Sequence, residues 1–284
     1  MSTSAAGTVD RRRLPRDWSR AVAWTAGAVI LLVVVAAVFA PLLAPHNPNA
    51  LNLNEAFSAP TARYPLGADA SGRDLLSRLL YGARPALLGP TLAVLLATML
   101  GTVVAVASAW FGGLADRVIS RLLDLLFAFP PLLLALLVAA TFGAGFTTSI
   151  LAVGIAEVPY IARVIRTEAI RQRKRPYIEG SLVQGLPGVA IIWRHLLPNV
   201  APTVFTQMTL SFGYVIVNLA AVSFLGLGVQ APTADWGSMV SEGQSSLVQG
   251  YPQESLYASA CIIVVVVAFT VFGDWVAARM EARR

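Results

Sequence analysis

The chain has 284 residues, 56% of them apolar and only 13% charged, with a mean hydropathy of +0.68; soluble domains carry about 25% charged residues, so an ordinary globular fold is excluded and an integral membrane protein is indicated. One cysteine, Cys261, excludes a disulfide framework or cysteine metal site, and two distant histidines, His46 and His195, leave little for a histidine cluster. The net charge of +6 lies beside apolar runs, where basic residues record membrane orientation and not nucleic-acid binding.

The amino tail, residues 1–20, holds Arg11, Arg12, Arg13, Arg16 and Arg20, and no formal charge follows until Glu55. Residues 21–43 read as span one, since about 20 apolar residues cross a hydrocarbon core of about 30 Å and a secretory leader core is shorter, about 7–15 residues. Residues 44–84 form a long connector rich in Pro and Asn. At Asp74-Leu75-Leu76-Ser77-Arg78-Leu79-Leu80 apolar and charged residues mix, a pattern that fits an interfacial helix feeding span two or a solvated connector. Span two lies within residues 85–115 and ends at Gly112-Gly113.

Span three is expected over about residues 118–141. Arg117, Arg121 and Asp124 share one stripe at its start, which predicts an Arg121–Asp124 ion pair at the cytoplasmic interface. Pro130-Pro131 remove backbone donors near its middle, so a kink or break facing protein is expected there. Phe142-Gly143-Ala144-Gly145 supplies a turn, and span four follows over about residues 147–165. It carries Glu157, two residues before Pro159. An ionisable group at that depth is a candidate functional residue: it lines the pathway and attracts a substrate ammonium, or it is paired with a partner subunit, or water hydrates it in a cavity. Span five covers residues 199–224, before Gly226-Leu227-Gly228. An outer loop, residues 229–253, places Trp236 and Tyr251 as aromatic anchors near span ends, and residues 255–273 form span six.

Six spans put both termini on one side, and lysine and arginine placement decides which. Only Arg63, Arg73, Arg78 and Arg84 fall in segments opposite the amino tail; the other basic residues, including Arg163, Arg166, Arg171, Arg173, Lys174, Arg175 and Arg194 after span four and Arg279, Arg283 and Arg284 at the end, share its side. Both termini are therefore expected in the cytoplasm. On that side residues 167–198 stand out. Pro176 opens a short helix, Gly185 interrupts, and Pro187 opens a second, in which Val189, Ile192, Trp193, Leu196 and Leu197 fall at helical spacing as one apolar stripe. Such a two-helix protrusion either fills a groove on a cytoplasmic partner or packs its stripe beneath its own bundle.

These residues resemble the cytoplasmic signature of permease subunits of ABC importers: Glu-Ala-Ala, three residues, Gly, nine residues, then Ile-x-Leu-Pro. Here Glu179-Gly180-Ser181, Gly185 and His195-Leu196-Leu197-Pro198 keep that spacing, with Gly180, Ser181 and His195 departing from the usual residues. Pro65-Leu66-Gly67-Ala68-Asp69, Gly72-Arg73-Asp74-Leu75-Leu76-Ser77-Arg78 and Tyr81-Gly82-Ala83-Arg84 resemble the stretch before span two in dipeptide/oligopeptide-type C subunits, and Ser223-Phe224-Leu225-Gly226-Leu227-Gly228-Val229 with Pro232-Thr233 and Trp236-Gly237 resembles their stretch after span five.

The resemblance implies an all-α membrane protein of six transmembrane helices, a type I ABC importer permease bundle with cytoplasmic coupling helices, in which residues 85–284 form the permease core. It implies coupling to ATPase subunits through Tyr177, Glu179, Gly180, Ser181, Gly185, His195, Leu197 and Pro198. It further implies a second homologous permease subunit, two cytoplasmic ATPase domains that hold ATP and Mg, an extracytoplasmic substrate-binding protein, and a place in the cytoplasmic membrane of a prokaryote. No cofactor or metal is expected on this chain, and no Walker-type phosphate loop occurs in it. Uptake of di- or oligopeptides is the implied activity. A nickel complex or other small solute is an alternative cargo, and a secondary transporter using Glu157 as coupling acid is a more distant one.

Overall fold

The computed structural model describes residues 16–281; Arg11, Arg12, Arg13, Arg283 and Arg284 lie outside the described residues. Helix α1 (Arg16–Val38) bends at Phe39 into a short α2 (Ala40–Leu43), whose first turn carries Pro41. An irregular connector with one 3-10 turn (Leu53–Glu55) leads to α3 (Leu75–Phe111). Next come α4 (Gly113–Phe127), α5 (Pro131–Phe142) and α6 (Phe146–Arg173). Two short helices, α7 (Pro176–Val183) and α8 (Gly188–Ile191), precede α9 (Leu197–Phe224), α10 (Trp236–Val248) and α11 (Gln253–Glu281). Among the described residues, five helical stretches are long and apolar enough to span a membrane, and α4 with α5 makes a sixth if the bent pair is taken together.

The seam between α3 and α6 is the spine of the bundle. On α3, Ala93, Ala97, Gly101, Ala105 and Ala109 recur every four residues, and all are buried. A methyl added at Gly101 would lie 3.0 Å from Ile161 Cγ2, and one at Gly154 would lie 3.1 Å from the Ala93 carbonyl. Small residues at this spacing let two backbones approach, which matters in lipid because packing replaces the hydrophobic effect as the force between helices. Ile161, Ile165, Leu196 and Val200 fill the adjoining space at one end, and Val94, Val153, Val215 and Val222 do so further along.

At the opposite end of α3 the connector, α10 and α11 close over the bundle. The segment at residues 74–80 is not an interfacial amphipathic helix. It is the first two turns of α3, capped by Asp74, whose carboxylate accepts from Ser77 N–H at 3.1 Å. At about 1.5 Å per residue this 37-residue helix runs about 55 Å, well beyond a hydrocarbon core of about 30 Å. Its extension is therefore covered by protein: Leu75, Leu79, Trp236, Met239 and Ala258 pack in one cluster. Trp236, expected as a membrane anchor, is buried there and donates Nε1–H to the Leu79 carbonyl at 2.9 Å. Tyr251 stacks on Phe57 of the connector, with ring centroids 4.4 Å apart.

Span three is no single kinked helix. α4 and α5 meet at 85° across Ala128-Phe129-Pro130. Pro130 and Pro131 have no N–H to donate to the carbonyls of Leu126 and Phe127, so the ladder stops. Phe129 and Pro130 are exposed on this chain; they line an open cavity and are not packed inside the bundle. Span four continues beyond residue 165 to Arg173. The second short helix also runs straight into span five through a π turn, Ile192–Leu196. Pro198 cannot bond the Arg194 carbonyl and would clash with it in a regular helix, and the wider turn, with Leu197 N–H donating to Ile192 O, relieves this.

Candidate functional site

The coupling segment begins where α6 ends. Arg173 donates Nη1–H to the Ala109 carbonyl at 2.7 Å and lies over the Trp110 ring, 5.7 Å from its centroid, so the end of α6 is tied to the end of α3. Pro176 occupies the first turn of α7, where a missing N–H costs nothing, and Glu179 places negative charge in the same turn, where the helix dipole favours it. α7 closes in a Schellman arrangement: Gly185 N–H donates to Leu182 O at 3.0 Å and Leu186 N–H to Ser181 O at 3.2 Å. Gly185 supplies the left-handed residue this closure requires, with φ +77°. Gly188 then passes against Trp110, where an added methyl would sit 2.9 Å from the indole.

The residues expected to couple fall into two groups. Ser181 is buried and donates its hydroxyl to the Tyr177 carbonyl at 2.8 Å. The Tyr177 hydroxyl donates to Gln172 Oε1 at 2.9 Å, and its ring stands 6.4 Å from that of His195. Burial raises the Tyr177 phenol above its ordinary pKa. The His195 carbonyl accepts from Asn199 Nδ2–H at 2.6 Å, and Leu197 is half-buried against the core. Glu179, Gly180, Gly185 and Pro198 are exposed, as is Tyr177 in part.

The single apolar stripe expected on the second helix is split. Ile191 and Leu196 are fully buried, with Ile178 of α7 beside them in burial, and Ile192 and Leu197 pack against the same core. Val189 and Trp193 instead point outward, 68% and 70% exposed, and with Leu182 and Val183, 50% and 88% exposed, they leave bare apolar surface on this segment. The π turn takes more residues per turn between residues 192 and 196, so each residue rotates less than in an α-helix, and a stripe counted at 3.6 residues per turn misassigns its faces.

Next to this segment, α4 is pinned to α6 and α3. Arg166 donates from Nε and Nη2 to the two Asp116 oxygens, both at 2.7 Å, and Nε is 2.9 Å from Ser108 Oγ; Ser108 also donates to Asp116. Asp124 does not pair with Arg121. Its carboxylate accepts from Arg163 Nη2 at 2.7 Å, because α4 lies against α6 and the Phe127 ring, 4.5 Å from the guanidinium carbon, holds Arg163 beside it. The Arg166–Asp116 contact joins positions fifty residues apart, and no local pattern announces it.

Glu157 is 6% exposed and lines a cavity of about 560 Å³ with Ala156, Tyr160, Tyr214, Asn218 and the α4–α5 bend, Leu126 to Pro131. Asn218 Nδ2–H reaches its Oε1 at 3.4 Å. Tyr160 follows Glu157 by three residues and so shares its helix face, a spacing visible in the sequence; Asn218 and Tyr214 come from α9 and were not foreseeable.

At the connector end, the segments Gly67–Asp69, Gly72–Arg78 and Trp236–Gly237 come together. Asp69 accepts from the backbone of Ser71 and Arg73 at 2.7 and 2.9 Å and from the Arg73 guanidinium, while Arg73 and Arg78 both donate to Glu242 Oε2, at 2.7 and 3.0 Å. Burial alone would lower the Arg73 guanidinium, but the Asp69 and Glu242 carboxylates carry it above its ordinary value. Gly72, at φ +72°, passes the Asn52 carbonyl so closely that a Cβ would fall 1.8 Å from the oxygen. This clasp holds the connector to α3 and α10.

Among the described residues, five to six apolar spans form a helical bundle whose short helix α7 and π turn lie between the long helices α6 and α9. Residues 97–284 match the family described as binding-protein-dependent transport system inner membrane component, and residues 19–60 match the N-terminal TM domain of oligopeptide transport permease C. The chain belongs to this family of ABC importer permeases. Among similar proteins, the glutathione transport system permease GsiD of Pectobacterium atrosepticum is 35% identical over 89% of this chain and 84% of its own length. The dipeptide transport system permease DppC of Alkalihalophilus pseudofirmus is 35% identical over 87% of this chain and 81% of its own length. The probable D,D-dipeptide transport system permease DdpC of Escherichia coli K12 is 33% identical over 88% and 84%.

Proposed function

We propose that this chain imports di- or oligopeptides as one half of a permease pair that works by alternating access, driven by two ATPase domains docked on residues 167–198. The observation that carries the coupling role is the split of that segment: Ile178, Ile191 and Leu196 anchor it in the bundle while Val183, Val189 and Trp193 stay bare. Anchored on one side and apolar on the other, it transmits a push from a partner into α6 and α9. ATP moves the pair between states only if the ATPases bind it better in one of them. The names of its relatives, glutathione and dipeptide permeases, support peptide cargo. The basic residues around α7 support a cytoplasmic position for that segment and both termini, with the connector clasp on the outer side, where a binding protein would deliver substrate.

The test is reconstitution of this chain in proteoliposomes with its partner permease, ATPases and binding protein, followed by uptake of radiolabelled dialanine. Accumulation that requires ATP inside and binding protein outside is expected. Accumulation driven by an ion gradient without ATP, or none with any component set, would overturn the proposal.

A further inference from the structure

The cavity beside the α4–α5 bend has a chemistry that the coupling role does not use. Its lining is mostly apolar and aromatic, with Glu157 of α6 and Asn218 of α9 in hydrogen-bond contact on one side. Among the described residues Glu157 has no ion-pair partner; Arg163, less than two turns further along α6, is engaged by Asp124. A carboxylate this deeply buried costs several kcal/mol unless something positive compensates it, and a 3.4 Å contact to a neutral amide supplies little.

Two further features attract positive charge to the same space. Tyr160 and Tyr214 line it, 42% and 71% exposed on this chain, and their ring faces carry the negative quadrupole that draws an ammonium group within about 6 Å. The last turn of α4 ends there too, at Phe127 and Ala128. Ala128 and Phe129 N–H donate to the Asp124, Leu125 and Leu126 carbonyls, Pro131 has no N–H for that of Phe127, and a helix carboxy-terminus carries roughly half a negative charge.

We propose that this cavity is a membrane-embedded site for a primary ammonium group, the amino terminus of a peptide in transit, with Glu157 as counter-ion, Asn218 as its positioning partner and the Tyr160 and Tyr214 rings as walls. A volume of about 560 Å³ is within the range of small-ligand sites, about 300–1,000 Å³, and leaves room for two or three residues beyond the ammonium. The site gives the permease its own selection for a free amino terminus. This inference rests on the peptide reading above.

The experiment measures binding of dialanine and of N-acetyl-dialanine to the purified permease–ATPase complex, without binding protein, by isothermal titration. The complex is expected to bind dialanine at least about tenfold more tightly, a difference of about 1.4 kcal/mol. Glu157→Gln should bring the two within about twofold at unchanged complex yield, while Tyr214→Leu, at an exposed position, should weaken dialanine alone and keep the complex assembled. Equal binding of the two peptides, no binding of either, or full discrimination retained in Glu157→Gln would overturn the site. Failure of the peptide reading looks different: the complete transporter would then not take up dialanine at all, whatever the titration shows.

Discussion

At Gly185 the backbone takes φ +77°, and nothing lies within 4 Å of where a Cβ would stand. The constraint on this residue is thus conformational and not steric. A β-branched side chain in the left-handed region costs about 1–2 kcal/mol and breaks the closure made by Gly185 and Leu186 N–H. Gly185→Val is expected to leave the protein inserted in the membrane while uptake falls and ATP hydrolysis no longer tracks it; uptake and hydrolysis measured on one proteoliposome preparation check this. Gly180 is the counterpart. It is helical with open space around it, so Gly180→Ala should retain full uptake and gain up to about 1 kcal/mol in α7. The spacing Glu179, Gly185, Pro198 was legible in the sequence because a helix, a left-handed stop and a proline each need a particular residue type. The partner of Asp124 was not legible, because it depends on how two helices lie against each other.

Among the elements, α3 against α6 is the contact on which the others are built. With Gly101 already 3.0–3.3 Å from Ile161 and Ala162 at its missing Cβ, Gly101→Leu must push the helices apart. Overpacking of this kind costs about 1–3 kcal/mol, and the unfolding midpoint of the purified complex in detergent should fall accordingly, while Leu100→Ala, on the exposed face of the same helix, should leave it close to wild type. The four-residue recurrence of small residues on α3 was present in the sequence and would have located this seam. The elements that misled were those in which periodicity is interrupted. Trp236 read as an anchor because hydropathy does not register that α10 folds back over α3, and the apolar stripe from Val189 to Leu197 read as one face because a π turn cannot be seen in residue spacing.

The whole molecule is clamped at both ends and open in the middle. Arg73, Arg78, Asp69 and Glu242 lock the connector to α3 and α10, Arg166 and Asp116 lock α4 to α6, and the bend at Pro130 leaves an open cavity against α6 and α9. The all-helical membrane class and the family were legible because both follow from hydropathy and motif spacing, whereas the six expected spans are five unless the bent α4–α5 pair is taken as one. The clamps were not legible, since apart from Asp69–Arg73, four residues apart, they join positions brought together only by the fold. At this scale, the bare apolar surface on residues 182–193 is what the proposed ATPase docking accounts for.

The most direct measurement is ATP-driven dialanine uptake by the reconstituted transporter carrying Val183→Glu with Trp193→Glu. Both side chains are exposed, so folding is spared, and loss of such apolar anchors typically costs about 2 kcal/mol or more each in an interface. The account predicts that the permease pair still assembles, that the ATPases no longer copurify with it, and that uptake falls at least about tenfold, the fold-change for 1.4 kcal/mol. Full uptake with ATPases retained would contradict it.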